Sequence, residues 1–181
     1  MRGGEVVVGT IFTPDASGCS NWIVNFEKDP GPEASGRLLQ MVLEIETYRT
    51  LAVTGMDQIR AVYPILQTVA NNLPKDGTIA RDHVGMMETL DRLSGEESKL
   101  HNIWERLAWR VGANAAYHEL VFERLEQLKA KGLDGHVGIR HFLKRRLTPA
   151  ISTAQTIMRR RSELANQVDE RAQLLRTQLQ L

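Results

Sequence analysis

The chain is poor in most of the residues that commit a protein to a particular chemistry. It has one cysteine, Cys19, in 181 residues. An internal disulfide and a multi-thiolate metal site are therefore excluded, and a reducing compartment is the natural setting. Neither sign of charge is in excess: 23 Lys and Arg against 22 Asp and Glu leave a net +1, with no global bias toward nucleic acid or membrane. No run of about 18 apolar residues occurs, which excludes a membrane span within these residues. Met1-Arg2-Gly3-Gly4 leads straight into polar and strand-like sequence, unlike a signal peptide. The phosphate-cradling G-x-x-x-x-G-K-[ST], the dinucleotide fingerprint and the G-x-S-x-G elbow are all missing. Cys19 falls in an expected loop with no histidine near it in sequence, so no nucleophile–base pair is written in the chain. Di-iron bundles need a Glu-x-x-His pair on each of two helices. The residues three before His83, His101, His118, His136 and His141 are Ala80, Ser98, Ala115, Leu133 and Gly138, so that pair is absent too. The expectation is a chain with no catalytic motif and no cofactor.

What remains is the composition of an ordinary globular protein, 42% hydrophobic and 25% charged. The charge is unevenly placed. Residues 137–181 hold nine basic and three acidic side chains, whereas residues 1–82 hold seven and ten and residues 83–136 hold seven and nine. The basic last segment suits contact with its own acidic part or a partner subunit, ahead of anionic lipid or nucleic acid.

Glu5–Phe12 and Asn21–Glu27 are rich in β-branched and aromatic residues and flank a turn-forming stretch with Pro14, Asp15 and Gly18, which reads as a β-hairpin. A lone two-stranded hairpin is marginal in water, so residues 1–30 are expected to belong to a larger α/β region. Asp29-Pro30-Gly31-Pro32 breaks the chain, and residues 31–181 read as a helical bundle or stalk domain. One helix is expected over 33–54, punctuated by Gly55. A second is expected over 56–72, which Pro64 should kink or divide. Leu73–Ala80 reads as a loop and Asp82 as an N-cap. Two long helices follow, over 83–131 and 137–180, each roughly 65–75 Å long. The first carries apolar residues at alternating steps of three and four, with Glu97, Trp104, Asn114 and His118 in the same seam. The second carries a matching seam that includes Ala150, Arg161 and Arg171. The expected fold is mainly α: a long antiparallel helical hairpin, coiled-coil-like, with two shorter packed helices and a small N-terminal β-hairpin. A turn centred on Asp134 places Glu97 against Arg171, and Asn114 and His118 against Ala154 and Ala150.

Four groups of residues have a chemical reading. Glu97, His101 and Glu105 share a helix face at i, i+4 and i+8 and form a weak candidate for a divalent metal, with an ordinary surface ladder favoured. Glu44, Glu46, Tyr48 and Arg49 concentrate polar groups in an apolar helix, either as an acid–phenol–guanidinium site or, preferred, as a packing network. Glu97 with Arg171, and Asn114 with His118, complete the structural polar set. Arg145, Arg146, Arg159 and Arg160 form a basic stripe able to meet phosphate or anionic lipid, although a solvated face is the simpler reading. Few aromatics interleave these arginines, which argues against nucleic acid.

Arg37–Ala52 (RLLQMVLEIETYRTLA), Arg110–Leu128 (RVGANAAYHELVFERLEQL), His141–Ala150 (HFLKRRLTPA) and Glu170–Leu181 (ERAQLLRTQLQL) together resemble the bacterial membrane-anchored family called domain of unknown function 3422. The likeness runs from about Arg37 to the end. It implies a longer protein, with a further N-terminal region and a pair of membrane spans after this segment, and no established activity. The motif-bearing positions it marks are Glu44, Glu46, Tyr48, Arg49, Tyr117, Arg145, Arg146 and Arg176. The expected role is a scaffold or oligomerisation domain, homo-oligomeric, at the cytoplasmic face of the bacterial inner membrane. A soluble domain followed by a stalk and two spans also suggests, by architectural analogy, the cytoplasmic part of a CorA-like divalent-cation transporter.

Overall fold

The computed structural model describes residues 6–74, 82–129 and 131–180. The expected loop over Leu73–Ala80 falls mostly outside the described residues. Two strands open the chain, β1 (Val6–Pro14) and β2 (Ser20–Phe26), paired antiparallel with Val6 opposite Phe26 and Thr10 opposite Trp22. The pairing is irregular between Thr10 and Pro14, where β1 carries the extra residues of a bulge. Within it Phe12 takes a left-handed φ of 52°. The Thr10 hydroxyl holds the bulge, accepting from the Phe12 N–H at 3.1 Å and donating to the Asn21 carbonyl at 2.8 Å.

Asp15 organises the turn between the strands. Its Oδ1 accepts from the Ser17 N–H (2.9 Å), the Ser17 hydroxyl (2.6 Å) and the Cys19 N–H (3.0 Å), and its Oδ2 accepts from Asn21 (3.2 Å). The Ser17 hydroxyl, the Cys19 amide and the Asn21 side chain stabilise the ionised form and lower the Asp15 pKa to about 2. A lowered folded-state pKa stabilises the turn at pH values above the ordinary carboxylate range, and that stabilisation is lost as pH falls through the folded value. In an acid titration followed by NMR, the Ser17 and Cys19 amide shifts should move with a midpoint near 2. A midpoint at the value of a free aspartate would show that these bonds do not form.

Five helices follow: α1 (Pro32–Val53), α2 (Met56–Arg60), α3 (Tyr63–Asn72), α4 (His83–Gln127) and α5 (Ile139–Leu179). Their boundaries follow local chemistry. Pro32 enters α1 in its first turn, where its missing N–H costs nothing. Gly55 takes φ 77° at the corner before α2. Pro64 sits in the first turn of α3, so the expected second helix is divided in two rather than kinked, giving three shorter helices instead of two. Asp82 caps α4 by accepting from the Gly85 N–H. α5 runs unbroken through Pro149, at a local cost of about 3 kcal/mol, with buried Leu147 and Ile151 flanking the proline on the packed face.

The core is in two parts. Near the α4–α5 connection, Ile45 of α1 packs with Val121, Leu125, Leu143 and Leu147, and Phe12, Trp22 and Phe142 close over them. Farther along the long helices, α2 and α3 pack through Ile59, Leu66 and Val69 onto Leu93, Leu100, Leu107, Leu164 and Val168. α4 and α5 lie along each other and are tied by Arg140 to Glu126 (2.8 Å), His118 to Thr148 (3.3 Å) and Arg161 Nε to the Leu100 carbonyl (2.8 Å). His118 thus lies two residues from its expected partner, Ala150.

The seam differs in detail from the expected one. Glu96 and Ile103 are buried where Glu97 and Trp104 were expected, and Ile151 and Ala172 where Ala150 and Arg171 were expected. Both members of each pair satisfy a three-or-four step. The position taken is the one whose side chain meets its surroundings: Glu96 is bound by Asn72 and Lys99, whereas Trp104 lies out over the Arg161 guanidinium.

Candidate functional site

The polar segment of α1 splits into two sites because successive residues turn about 100° around the helix. Glu44 and Tyr48 face α4. Glu44 pairs with Arg124 and accepts from Gln40 (2.9 Å), and Tyr48 stacks on Tyr117 with ring centroids 6.0 Å apart. The hydrogen bond from Arg124 leads in holding the Glu44 carboxyl below its usual range. No hydrogen bond joins Glu44 to Tyr48, whose ring packs on Tyr117 instead. Glu44 and Tyr48 line an open groove of about 400 Å³ together with Leu39, Leu43 and Thr47.

Glu46 and Arg49 face the β-hairpin. Arg49 Nε donates to Glu46 at 3.0 Å, and its guanidinium lies 5.3 Å above the Phe12 ring. Phe12 stacks on Phe142 (5.1 Å) and meets Trp22 edge-on (5.3 Å), and the Arg146 guanidinium lies 5.8 Å from the Phe142 ring centre. Burial raises the Glu46 pKa, but the hydrogen bonds of Arg49 and Ser20 and the Arg49 charge outweigh it and the net shift is downward. The Trp22 indole N–H leans toward the same carboxyl and is buried without a well-formed hydrogen bond. This junction holds the strands to the helices by their turn end: an ion pair, stacked rings and a bulge that turns Phe12 inward.

A second groove, of about 500 Å³, opens between the α1–α2 corner and α5, lined by Asp57, Gln58, Arg60 and Arg146. The corner itself is clamped from α4. Asn114, only 2% exposed, donates to the Thr54 carbonyl at 3.2 Å. Arg110 passes directly over Gly55, with its guanidinium 4.6 Å from the Trp109 ring centre.

The remaining expected groups are spread out. Asn114 bonds to Thr54 and approaches the Met56 sulfur. Burial lowers the His118 pKa and the Glu119 charge partly offsets it. Glu97 is exposed, and Arg171 donates instead to the carbonyls of Pro74 (3.1 Å) and Gln167 (3.3 Å), so the two are not paired. Glu97, His101 and Glu105 all lie on the exposed surface, with His101 and Glu105 3.7 Å apart, and among the described residues no three His, Cys, Asp or Glu side chains are grouped to hold a metal. Arg159 and Arg160 both approach Glu163, at 4.0 and 3.5 Å, while Arg146 turns toward Phe142, so the expected four-arginine stripe is broken up. Arg145 and Arg176 are exposed.

Sequence reasoning missed Phe12, Trp22 and Phe142, Arg124, and the Asn72–Glu96–Lys99 cluster. The aromatic members left one signal, rings placed at the turn end of the strand pair. Arg124 and Asn72 left none, because their partners lie 80 and 24 residues away.

A family model described as "Protein of unknown function (DUF3422)" matches residues 1–181, the two strands included. No curated protein and no solved structure matches the chain.

Proposed function

The chain belongs to the DUF3422 family, and from that premise we propose that it is a non-catalytic scaffold: α4 and α5 act as an antiparallel helical hairpin with coiled-coil-like packing that carries the shorter elements and associates with a second copy. One observation carries this reading. Many of the half-buried and buried polar side chains join one element to another: Glu44 to Arg124, Asn114 to the Thr54 carbonyl, Asn72 to Glu96, Arg161 to the Leu100 carbonyl and Arg171 to the Pro74 carbonyl. Such bonds fix alignment and leave little polar capacity turned toward a substrate. Apolar side chains, by contrast, remain on outer faces, with Leu43 66% and Trp109 64% exposed.

The resemblance to a membrane-anchored family supports placing this module at the cytoplasmic face of the bacterial inner membrane. Among the described residues no helix is long and apolar enough to cross a bilayer.

Self-association is the testable core of the scaffold reading. Light scattering after size exclusion should give a mass of at least twice the 20.4 kDa of the chain, decreasing on dilution. A constant 20.4 kDa mass at every concentration would remove the oligomerisation claim.

A further inference from the structure

The connection between α4 and α5 is a shaped loop. Gly132 and Gly138 meet at its neck: a Cβ added to Gly138 would lie 3.6 Å from the Gly132 Cα, and one added to Gly132 would lie 3.9 Å from the Gly138 Cα. Between them the His136 N–H donates to the Leu133 carbonyl at 3.0 Å, and Gly135 takes φ 78°. Arg140 and Glu126 bridge the helix ends just behind the neck. The pinched loop turns its two apolar side chains outward, leaving Leu133 53% and Val137 68% exposed.

The surroundings of this apolar tip are cationic. Residues 128–146 contain six Lys and Arg and one acid, Asp134. Lys129, Lys131, Lys144 and Arg145 are exposed, and none has a carboxylate partner within salt-bridge distance among the described residues. Among the described residues the ion pairs at this end are Arg140 with Glu126 and, one turn back on α4, Arg124 with Glu44 and Glu123. Elsewhere on α5, Arg159 and Arg160 share Glu163 and Arg161 and Arg171 donate to backbone carbonyls, which leaves Arg176, exposed near the far end, as the other cation of α5 with no partner among the described residues.

We propose that this end of the molecule is a contact site for an anionic bilayer surface, with Leu133 and Val137 entering the headgroup–acyl boundary and Lys129, Lys131, Lys144 and Arg145 meeting lipid phosphates. An exposed apolar pair flanked along the chain by exposed cations, with one acid, Asp134, between them, is a combination that interfacial membrane binding uses, because apolar burial and attraction to anionic lipid add. Charge complementarity selects the bilayer over a neutral protein surface. The loop has no Phe, Tyr or Trp on which a base could stack, which disfavours nucleic acid. The proposal stands apart from self-association: vesicle binding tests the loop, and light scattering tests the scaffold.

The experiment is flotation of the full chain with vesicles of phosphatidylcholine alone and with about 30% phosphatidylglycerol, at low and at about 0.5 M salt. Binding is expected to the anionic vesicles only and to fall with salt. Lys129→Gln with Lys131→Gln should weaken it roughly 30-fold, at about fivefold per cation. Leu133→Ser with Val137→Ser should weaken it at least about tenfold, since both side chains lose apolar burial. Far-UV circular dichroism of both variants should match the parent, because all four residues are exposed. No binding of the parent chain to anionic vesicles, or full binding by either folded variant, would overturn the proposal. So would tighter retention by a short single-stranded DNA that is unaffected by the Leu133 and Val137 changes.

Discussion

Replacing Gly55 with valine is expected to lower the unfolding free energy by about 2 kcal/mol, two costs acting at one position. The first is conformational. Gly55 holds φ 77°, a left-handed backbone that a β-branched residue adopts only under strain. The second is steric. A Cβ at Gly55 would collide with Cδ of Arg110 and crowd its Nε, so the flexible Arg110 side chain would have to shift from its place beside Trp109, the smaller of the two costs. The corner cannot readily move to make room, because Asn114 grips the adjoining Thr54 carbonyl from within the core. Urea unfolding followed by circular dichroism measures the loss. Gly55→Ala combined with Arg110→Ala separates the two costs: the double variant should regain the steric part and keep the backbone part, a coupling of less than about 1 kcal/mol. Stability of Gly55→Val within about 0.5 kcal/mol of the parent would mean that α1 and α2 do not meet through a left-handed glycine.

The second large effect concerns adjacent residues in α4 and ranks them against size. Ile103→Ala should cost about 3 kcal/mol, whereas Trp104→Ala should cost about 1 kcal/mol, although tryptophan is much the larger side chain. Ile103 is 7% exposed within the core shared by α2, α3, α4 and α5, so its truncation leaves a cavity among packed neighbours. Trp104 is 44% exposed and lies 5.3 Å from the Arg161 guanidinium, so its removal forfeits a partly hydrated cation–π contact. Arg161 keeps its bond to the Leu100 carbonyl in both variants, which isolates the comparison from that anchor. Thermal or urea unfolding of the two variants gives the order, and the reverse order would mean that the seam runs through Trp104.

That comparison marks how far periodicity reaches. Steps of three and four placed Leu93, Leu100, Leu107, Val111, Val121 and Leu125 on the inner face of α4, and all are buried. The same steps admit either Glu96 or Glu97, and either Ile103 or Trp104, since neighbouring residues are only about 100° apart on the helix. The choice depends on what lies opposite. Asn72 and Lys99 supply donors to Glu96, and Arg161 supplies a cation for Trp104 on the outside. Arg171 shows the same limit. Antiparallel alignment alone offered Glu97 as its partner, but the end of α3 brings the Pro74 carbonyl within 3.1 Å.

Local chemistry was legible wherever a residue acts on its own backbone. The break before α1 at Pro32, the division at Pro64, the corner at Gly55, the cap at Asp82, the turn around Asp15 and the β-branched stretches of the two strands all follow from short stretches of sequence. These effects act within a few residues, so the sequence by itself determined the order and kind of the elements. The tertiary structure decided the rest: that Phe12 turns inward through a bulge to stack on Phe142, that Glu44 finds Arg124, and that Leu133 and Val137 stay outside on a pinched loop amid uncompensated cations. Contacts between residues distant in the chain depend on how helices rotate and slide against one another. Small differences in packing energy set those motions, and no short stretch of sequence encodes them.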